Sequence, residues 1–477
     1  MTSITGLDTL REDYEEFNES ILTFLPKKSE EVDDMGIPIY SAGNTRPLNI
    51  TNTDNRILAN AVRLKIEPLI SPEISEVQRG FIAGRSMLAN VVDIDCGMQH
   101  TSLNFEHGLG IFPDFAAAFP SVDHDFIHEF LESLDWPDWL TRFVKGLYTD
   151  NKCCISVGGR RSKGFALEAG IRQGCPLSPF LFAVVADLLL CRLQRLLPAA
   201  IIRAYADDIA LVLSDGAPCL KLLEINFREY ALLSGLYIHH GKTVLVPLAP
   251  QDVDYTKRLV AAEAPSWSDM SIKFSTEYLG FSLGPDCADK AWDKACKKYL
   301  DRARTWGSIG AGLFHTLAAY RTYVLPVLSF VAQLAGVPSN WERLEQNACK
   351  LLFPGPRCWI SANALRGLKH IGFTTQLPDL HSLAAAAKCR VARYEDIAHG
   401  GLHITSRLQA LRYDRTHGPF SLRSIVWYRW YNEGFLANLA DARGKLRAKV
   451  GTEDNLLGMM RGDVSDPDNV RKQWQKT

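Results

Sequence analysis

The chain has 477 residues, 47% of them hydrophobic and 22% charged, and a formal net charge of −1. That length and apolar content exclude a disordered chain and allow about two to four domains or subdomains with their own cores. No stretch approaches the ~20 uninterrupted apolar residues of a membrane helix, and MTSITGLDTLREDYEEF lacks a signal-peptide pattern, so a soluble intracellular protein with no membrane partner is expected.

The charge is uneven along the chain, because residues 1–34 carry −7 and the remainder +6. An acidic helical start is expected over residues 10–24, with extended segments at residues 21–25 and 37–40 flanking a polar loop. In TDNRILANAVRLKIEPLI, residues Ile57, Leu58, Ala61, Val62, Leu64 and Leu69 fall near helical spacing, with Thr53 or Asp54 as the cap. Glycine-punctuated QRGFIAGRSM precedes a helix from about Leu88. GLGIFPDF reads as a strand, and one helix is expected from His124 to about Leu147. CCISVGG and GFALEAGI read as hairpin strands around a basic turn. A strongly apolar helix then runs to about Leu196, with Pro176 and Pro179 near its start, where proline is tolerated.

AYADDIALVL reads as strand, turn, strand, followed by a helix over residues 221–234 and by strands in LYIHHGKTVLV and EYLGFSLG. Beyond residue 285 the pattern is almost wholly helical. A helix over residues 290–306 gathers Trp292, Ala295, Cys296, Tyr299, Ala303 and Trp306 on one face and leaves much of the basic burst Lys294, Lys297, Lys298, Arg302 and Arg304 outside it. Further helices are expected near residues 312–330, 338–352, 376–395 and 420–447, and the last ~20 residues are polar enough to fray. The 11 cysteines form no C-x-x-C and no Cys/His cluster at zinc spacing, and read as reduced thiols.

The chemistry starts at Asp207 and Asp208, which sit at the turn of AYADDIALVL. Two unit charges about 4 Å apart repel by roughly 1 kcal/mol in water and by about 4 kcal/mol at the effective dielectric of a partly buried site. Such a pair belongs in a solvated turn or in a site that supplies cations. The third acid is Asp114, in GIFPDFAAAFPSVDH, at the end of an apolar strand. A lone aspartate there is usually a cap. Three carboxylates on adjacent strands can instead hold two divalent ions roughly 3.5 to 4 Å apart, and hard oxygen ligands favour Mg²⁺, with Mn²⁺ as a substitute.

DFAAAF, GIRQGCPLSPFLF, AYADD, SGLYIHHGKT and EYLGF, in this order, resemble the reverse transcriptases of non-LTR (LINE-type) retrotransposons. TRPLNITNTDNRILANAVRLKIEPLI and QRGFIAGRS are similar to that family's first two fingers blocks, so the resemblance runs from about residue 20 to residue 395. It implies an α+β fold of the right-hand polymerase type, with fingers, palm and thumb, an antiparallel palm sheet and a helical C-terminal region. The implied divisions are an acidic extension over residues 1–20, fingers over 21–110, palm over 111–285 with an interleaved fingers segment at 150–178, thumb over 286–360, and a helical region over 361–477. The implied activity is RNA-directed DNA synthesis, with an RNA template, a DNA primer or RNA–DNA duplex, and dNTPs as partners. A nuclear location follows from the family alone.

Each matched position then has a role. The resemblance puts two Mg²⁺ ions on Asp114, Asp207 and Asp208, with the Phe115 carbonyl close to the nucleotide-bound one. Phe119 stands at the steric-gate position, where an aromatic ring excludes a ribose 2′-OH, and Tyr205 belongs to the nucleotide site. Arg46 matches the fingers arginine that grips triphosphate, and Lys27 its companion. Gln173 and Gly174 are implied to touch the new base pair, glycine allowing close backbone approach. Lys242 aligns with a lysine that protonates departing pyrophosphate. Tyr278, Leu279, Gly280 and Phe281 form the implied primer grip, Arg85 meets template phosphate, and the helix carrying Lys294, Lys297 and Lys298 follows the duplex backbone.

Three features depart from the family pattern, one of them Pro120, which replaces an aspartate that many LINE-type enzymes have after AF at a site that is not a metal ligand. Pro113 precedes Asp114, and proline removes a ladder donor that a central strand needs. Neither an apurinic-type endonuclease nor a Cys/His knuckle or restriction-like nuclease signature accompanies the polymerase blocks, so the core of a truncated element is expected. A catalytically decayed, nucleic-acid-binding relic is the alternative.

Overall fold

The computed structural model describes residues 17–27, 31–35, 38–250, 252–288, 290–356, 359–398 and 403–450. The acidic start up to residue 16 and the C-terminal residues from 451 therefore lie outside the described residues. The chain forms two compact units, one of Met1–Asn90, Gly110–Leu245 and Val253–Ile272, the other of Val91–Leu109, Val246–Asp252 and Lys273–Thr477.

The first unit opens with four strands, β1 (Ser20–Pro26), β2 (Glu31–Val32), β3 (Pro38–Ile39) and β4 (Thr45–Thr51). Residues 21–25 are strand, as expected of the extended segment there, and because β1 pairs on both sides, antiparallel to β4 and parallel to a later strand, the helical start expected over residues 10–24 does not reach them. Helix α1 (Thr53–Ile70) is capped by Asn52, whose side chain accepts from the Asp54 N–H, so Thr53 is the first helical residue and neither it nor Asp54 is the cap. Helix α2 (Met87–Asn104) is followed by β5 (Leu109–Phe112), every residue of which is buried. Then come α3 (Ala118–Ser121), α4 (His124–Ser133) and α5 (Asp138–Tyr148). The single helix expected over residues 124–147 divides because Asp135 takes a positive φ of 51° and Pro137 fixes the start of α5.

Strands β6 (Cys153–Val157) and β7 (Arg160–Ser162) turn at Gly158 and Gly159. Arg160 and Arg161 therefore lie on the return strand itself, and GFALEAGI is a loop touching Lys152 and Asp123 through isolated bridges. These strands complete a four-stranded sheet of order β4-β1-β6-β7. Helix α6 (Ser178–Leu196) is buried along most of its length, and beyond it lie β8 (Ile201–Tyr205), β9 (Asp208–Leu213) and α7 (Ala217–Ser234). Strand β10 (Val244–Pro247), helix α8 (Val253–Glu263) and strand β11 (Ser271–Ile272) finish a five-stranded sheet of order β11-β10-β5-β9-β8.

β8 and β9 pair antiparallel, as expected for this sheet, and the two-residue edge strand β11, reached through α8, adds a parallel pair with β10. Pro113 stands one residue beyond β5, so the central strand ends before the proline could cost it a ladder bond. The departure noted in the sequence is accommodated without a break in the sheet.

The second unit contains the hairpin β12 (Thr276–Tyr278) and β13 (Phe281–Leu283), then helices α9 (Asp293–Ser308) and α10 (Gly312–Ala319), a π-helical turn at Tyr320–Val324, α11 (Pro326–Val331) and α12 (Trp341–Leu352). The helix expected over residues 312–330 is interrupted there, since Pro326 cannot donate into a continuous ladder. α9 buries Ala295, Tyr299, Ala303 and Gly307, while Trp292, Cys296 and Trp306 stay partly covered. Tyr299 and Tyr320 are both fully buried, their hydroxyls 3.2 Å apart, with the Trp341 ring beside Tyr299.

Helices α13 (Ala362–Arg366), α14 (Leu380–Ala398), α15 (His403–His417), α16 (Arg423–Val426), α17 (Tyr428–Asn432) and α18 (Phe435–Val450) complete this unit. Residues of α15, α17 and α18 hydrogen-bond the α2 residues that belong to it. Asp95 accepts hydrogen bonds from the Trp430 indole at 3.0 Å and the Gln99 amide at 3.1 Å, and burial pushes its carboxyl up to about 6. Asp93 pairs with Arg407 at 2.7 Å, and Tyr431 donates to Ser102 at 2.9 Å. The residues after the expected thumb are therefore part of a shared core. No helix among the described residues is long and apolar enough to cross a membrane, and the ten described cysteines are all unbridged.

Candidate active site

The acidic hairpin pairs Tyr205 with Asp208, leaving Ala206 and Asp207 as a two-residue turn. A turn this short needs positive φ to match the twist of its strands, and Ala206 supplies it at 56°. For an alanine the left-handed region costs roughly 1–2 kcal/mol, so the surroundings must hold it. They do so through the QRG segment, which lies against β8: Ala204 N–H donates to the Val77 carbonyl at 2.8 Å, and Arg79 N–H to the Ala204 carbonyl at 2.8 Å. Gly80 makes the closest approach, and a Cβ there would stand 2.0 Å from the Ala206 nitrogen.

Asp114 is held by the SGLYIHHGKT loop. Ala116 N–H donates to Tyr237 O at 2.8 Å and His239 N–H to Asp114 O at 2.6 Å, with Phe115 and Ile238 bridged antiparallel between them. The Asp114 N–H donates to the Thr243 hydroxyl at 3.1 Å, and that hydroxyl donates on to His239 O at 3.1 Å. Thr243 is almost wholly buried, so this side chain fixes the backbone of the third acid from beneath. Its signal in the sequence was its place beside Lys242, a residue conspicuous for its charge.

The three carboxylates act on one another. Burial raises the pKa of Asp207, the nearby charge of Asp114 raises it further, and Arg46 opposes both. Crowding by surrounding protein removes hydration from Asp208 and, with Asp207 and Asp114 beside it, pushes its carboxyl up to about 6, although the residue keeps part of its surface in solvent. One oxygen of Asp114, Oδ2, is screened from solvent and has no hydrogen-bond donor. The Lys242 ammonium lies 3.7 Å from it, too long for a hydrogen bond and suited to a loose ion pair. A shielded carboxylate oxygen without a donor, beside two acids that resist ionisation, fits a divalent cation. The side chains do not, however, stand as a closed cage of three ligands anywhere among the described residues. Mutual repulsion at a poorly hydrated site favours such a spread arrangement.

Asp208→Asn follows from these charges as a stability gain. The folded-state pKa of about 6 lies above the ordinary 3.8, so the wild-type site is most stable below pH 4 and loses that stability as pH rises through 6. Asparagine does not ionise, and the variant's advantage should grow between pH 5 and 7. Discounted for solvent access, it amounts to about 1 kcal/mol, or about 2 °C in melting temperature. Melting curves across that pH range check it, and equal curves at pH 7 would refute it.

Aromatic side chains wall the same region. Phe119 stacks on the fully buried Phe182 with ring centroids 4.4 Å apart. Phe81 stands edge-on to Phe119 at 6.5 Å and 5.9 Å from the Tyr205 ring. Phe81 is 45% exposed and has a positive φ of 59°, an arrangement that spacing alone does not reveal. Its only signal was its place inside QRGFIAGRS.

The phosphate-gripping candidates come from the β4-β1-β6-β7 sheet. Leu25 pairs with Arg46, and Lys27 N–H donates to Asn44 O at 2.9 Å, so the strands bring Lys27 and Arg46 to one end of the β1–β4 ribbon despite the long loop between them. Both side chains are exposed. Gln173 and Gly174 dock on β4: Asn49 N–H donates to Gln173 O at 2.8 Å, and Gly174, at φ 129°, lies where a Cβ would sit 2.4 Å from Asn49 O. The close approach that requires this glycine is thus to the protein's own strand.

Arg85 is placed differently from the expectation. Its guanidinium donates to the carbonyls of Ser71, Ile74, Ser75 and Gln78, at 2.5 to 2.9 Å, and so ties the loop after α1 together. A side chain occupied in this way is not available to template phosphate. Arg85→Ala should lower stability by about 2–3 kcal/mol in urea denaturation, as expected for losing charged donors to partly buried carbonyls, while leaving the salt dependence of nucleic-acid binding unchanged. A salt slope reduced by about 1 would restore the phosphate contact.

In the second unit, Leu279 and Gly280 turn the β12–β13 hairpin with positive φ of 50° and 79°. Tyr278 and Phe281 are buried at its base, Phe281 against Phe330 and Phe435. On α9, Lys294 pairs with Glu277, while Lys297, Lys298 and Arg302 line an open groove with it.

The sequence model of the family described as reverse transcriptase (RNA-dependent DNA polymerase) matches residues 25–283, ending with β13. A 149 kDa protein of transposon TX1 from Xenopus laevis is 26% identical over 274 residues, covering 54% of this chain and 20% of its own length. The Pol polyprotein of retrotransposable element R2 from Popillia japonica is 26% identical over 239 residues, 48% of this chain and 32% of that protein. The chain thus spans between a fifth and a third of these relatives. A solved Candida tropicalis telomerase with a fragment of telomeric RNA is 11% identical, with a TM-score of 0.43 over 96% of this chain and 67% of that one, too distant to bear on the fold. The family match takes in the acidic hairpin, the Asp114 strand and the loop that holds it, and with more than half its residues so matched this chain belongs to the reverse transcriptase family, in its LINE-type, non-LTR branch.

Proposed function

We propose that the chain is an RNA-directed DNA polymerase that adds dNTPs to a primer 3′-OH along an RNA template. The observation that carries the proposal is the convergence of Asp114 with the Asp207–Asp208 hairpin, in which both hairpin acids are pushed upward and Asp114 Oδ2 has no donor. Asp114, Asp207 and Asp208 would hold two Mg²⁺ ions, with Mn²⁺ as a substitute. When bound, the metal supplies a nucleophile of lowered pKa and neutralises charge on the departing pyrophosphate.

The chain's own residues do the rest. Arg46 and Lys27 orient the triphosphate, and Lys242, already beside Asp114, is placed to hold a proton for pyrophosphate. Phe119, backed by Phe182 and flanked by Phe81, presents a rigid ring that excludes a 2′-OH and so favours dNTPs. Gln173 and Gly174, fixed to β4, abut the new base pair. In this reading the β4-β1-β6-β7 sheet is fingers, the five-stranded sheet palm, Tyr278–Phe281 the primer grip and α9 the thumb helix that follows the duplex. A nuclear site of action accompanies the proposal.

The test is primer extension on poly(rA)/oligo(dT) with Mg²⁺ or Mn²⁺, with dNTPs and rNTPs in parallel. Incorporation of dNTPs is expected. A folded protein that binds the duplex without extending it would establish the decayed relic instead, and a preference for rNTPs would make it an RNA polymerase. Pro113, one of the two motives for suspecting decay, lies outside the central strand.

A further inference from the structure

The turn that carries Asp207 is held by a side chain whose hydrogen bonds go to backbone groups and not to the acids. Gln78 is fully buried, and its amide grips one residue from both sides. Oε1 accepts from Ala206 N–H at 2.9 Å, and Nε2 donates to Ala206 O at 3.2 Å. Oε1 also accepts from Gly80 N–H at 2.9 Å. Two N–H donors on one end and a carbonyl on the other admit a single orientation of the amide.

Both backbone groups of Ala206 are therefore bonded to one rigid plane, which fixes the peptide planes on either side of its φ of 56°. A residue at positive φ persists where its surroundings over-determine it. The neighbouring bonds reinforce the grip one residue pair further back, where Asn90 Nδ2 and Arg79 N–H both donate to Ala204 O at 2.8 Å. Every one of these groups lies in the first unit.

We infer that Gln78 is a positioning residue for the polymerase reaction, whose buried amide sets the direction in which the hairpin presents Asp207 and Asp208. The inference rests on the proposed polymerase activity for its consequence, but not for its geometry. Ala206 alone does not prefer this conformation, and the loop bearing Gln78 reaches it across 128 residues of sequence. Without the amide, the turn can relax toward ordinary φ values and re-aim Asp207, which follows it directly.

The test uses Gln78→Met, which keeps the length and loses every hydrogen bond, and Gln78→Glu, which keeps the acceptor and loses the donor. In metal-free protein, hydrogen exchange at the Ala206 amide should accelerate at least tenfold in Gln78→Met, with the sheet strands unchanged. In primer extension, kcat should fall about 100-fold with the KM for dNTP within about threefold, the Mg²⁺ concentration for half-maximal rate should rise about tenfold, and Gln78→Glu should lose less. Adding Ala206→Gly to Gln78→Met should recover at least tenfold in kcat, because glycine adopts positive φ without penalty.

Unchanged exchange at Ala206 would overturn the inference. So would a loss of kcat with an unshifted Mg²⁺ dependence and no recovery through Ala206→Gly, which is what general destabilisation produces. Should Gln78→Met fail to fold, the same measurements on Gln78→Glu, alone and with Ala206→Gly, support or overturn the inference by the same outcomes. A wild-type protein that extends no primer would refute the polymerase proposal, an outcome distinct from a wild type that works and a variant that works equally well.

Discussion

Asp207→Asn should abolish nucleotide addition while leaving the protein folded and slightly more stable. Asparagine keeps the shape of the turn and removes one of two charges that burial and Asp114 already oppose. The expected loss in kcat is roughly 10³-fold or more, about 4 kcal/mol of barrier, as befits removal of a carboxylate that would hold the metal ions acting on the nucleophile and the leaving group. Stability should move the other way, since a buried carboxylate with a raised pKa destabilises the folded state above that pKa. The two effects are read by primer extension and by melting at pH 7.5. A third readout is independent of turnover: Mg²⁺ should raise the melting temperature of the wild type and not of the variant. If Asp207→Asn extends primers at the wild-type rate, the metal-site assignment is wrong even with the family secure.

Gly80→Ala should cripple the enzyme from a position that carries no functional group. Its Cβ would lie 2.0 Å from Ala206 N, 2.6 Å from the Tyr205 carbonyl carbon and 2.9 Å from Ala206 Cα, all backbone atoms with no flexible end to yield. The QRG loop and the hairpin must therefore separate, at a cost of roughly 3 kcal/mol, and the turn bearing Asp207 is what moves. The expected result is at least a 100-fold loss of polymerisation with a clear drop in urea midpoint. Gly84→Ala is the control, because it has a positive φ of 77° but no atom within 4 Å of the added carbon. It should cost about 1 kcal/mol of strain and spare catalysis. Equal effects of the two substitutions would mean that backbone strain in the loop, not collision with the hairpin, is what matters.

Much of the site is legible along the chain. The aspartates, the DFAAAF strand end, the RQG and HHGKT blocks and QRGFIAGRS are short and local, and their order along the chain is what carries the resemblance. The strand–turn–strand reading of AYADDIALVL holds as β8 and β9. The same local reasoning misplaces elements whose state is set by distant partners. The helical start expected over residues 10–24 gives way to β1 from Ser20, because β4 and β6 flank it. GFALEAGI alternates like a strand but finds no continuous partner. α8 and α15 are not anticipated, since their faces acquire meaning only beside the elements they pack on.

Single residues divide in the same way. The resemblance assigns Arg85 to template phosphate, but four carbonyls surround its guanidinium. Gly174 reads as a close backbone approach, and the approach that the fold makes there is to Asn49 O of β4. Gln78 and Thr243 carry no charge to mark them in the sequence, yet they hold the backbone on either side of the acid cluster.

The sequence alone determines the chemistry, because acids, aromatics and basic residues keep their character wherever they lie. It also determines the family, because the blocks occur in a fixed order. Only the tertiary structure decides which residues meet: that Gln78 closes on Ala206, that Thr243 lies beneath Asp114, and that Pro113 falls outside β5. The physical reason is that a hydrogen bond or a van der Waals collision acts over about 3 Å, while the partners here are separated by more than a hundred residues of chain.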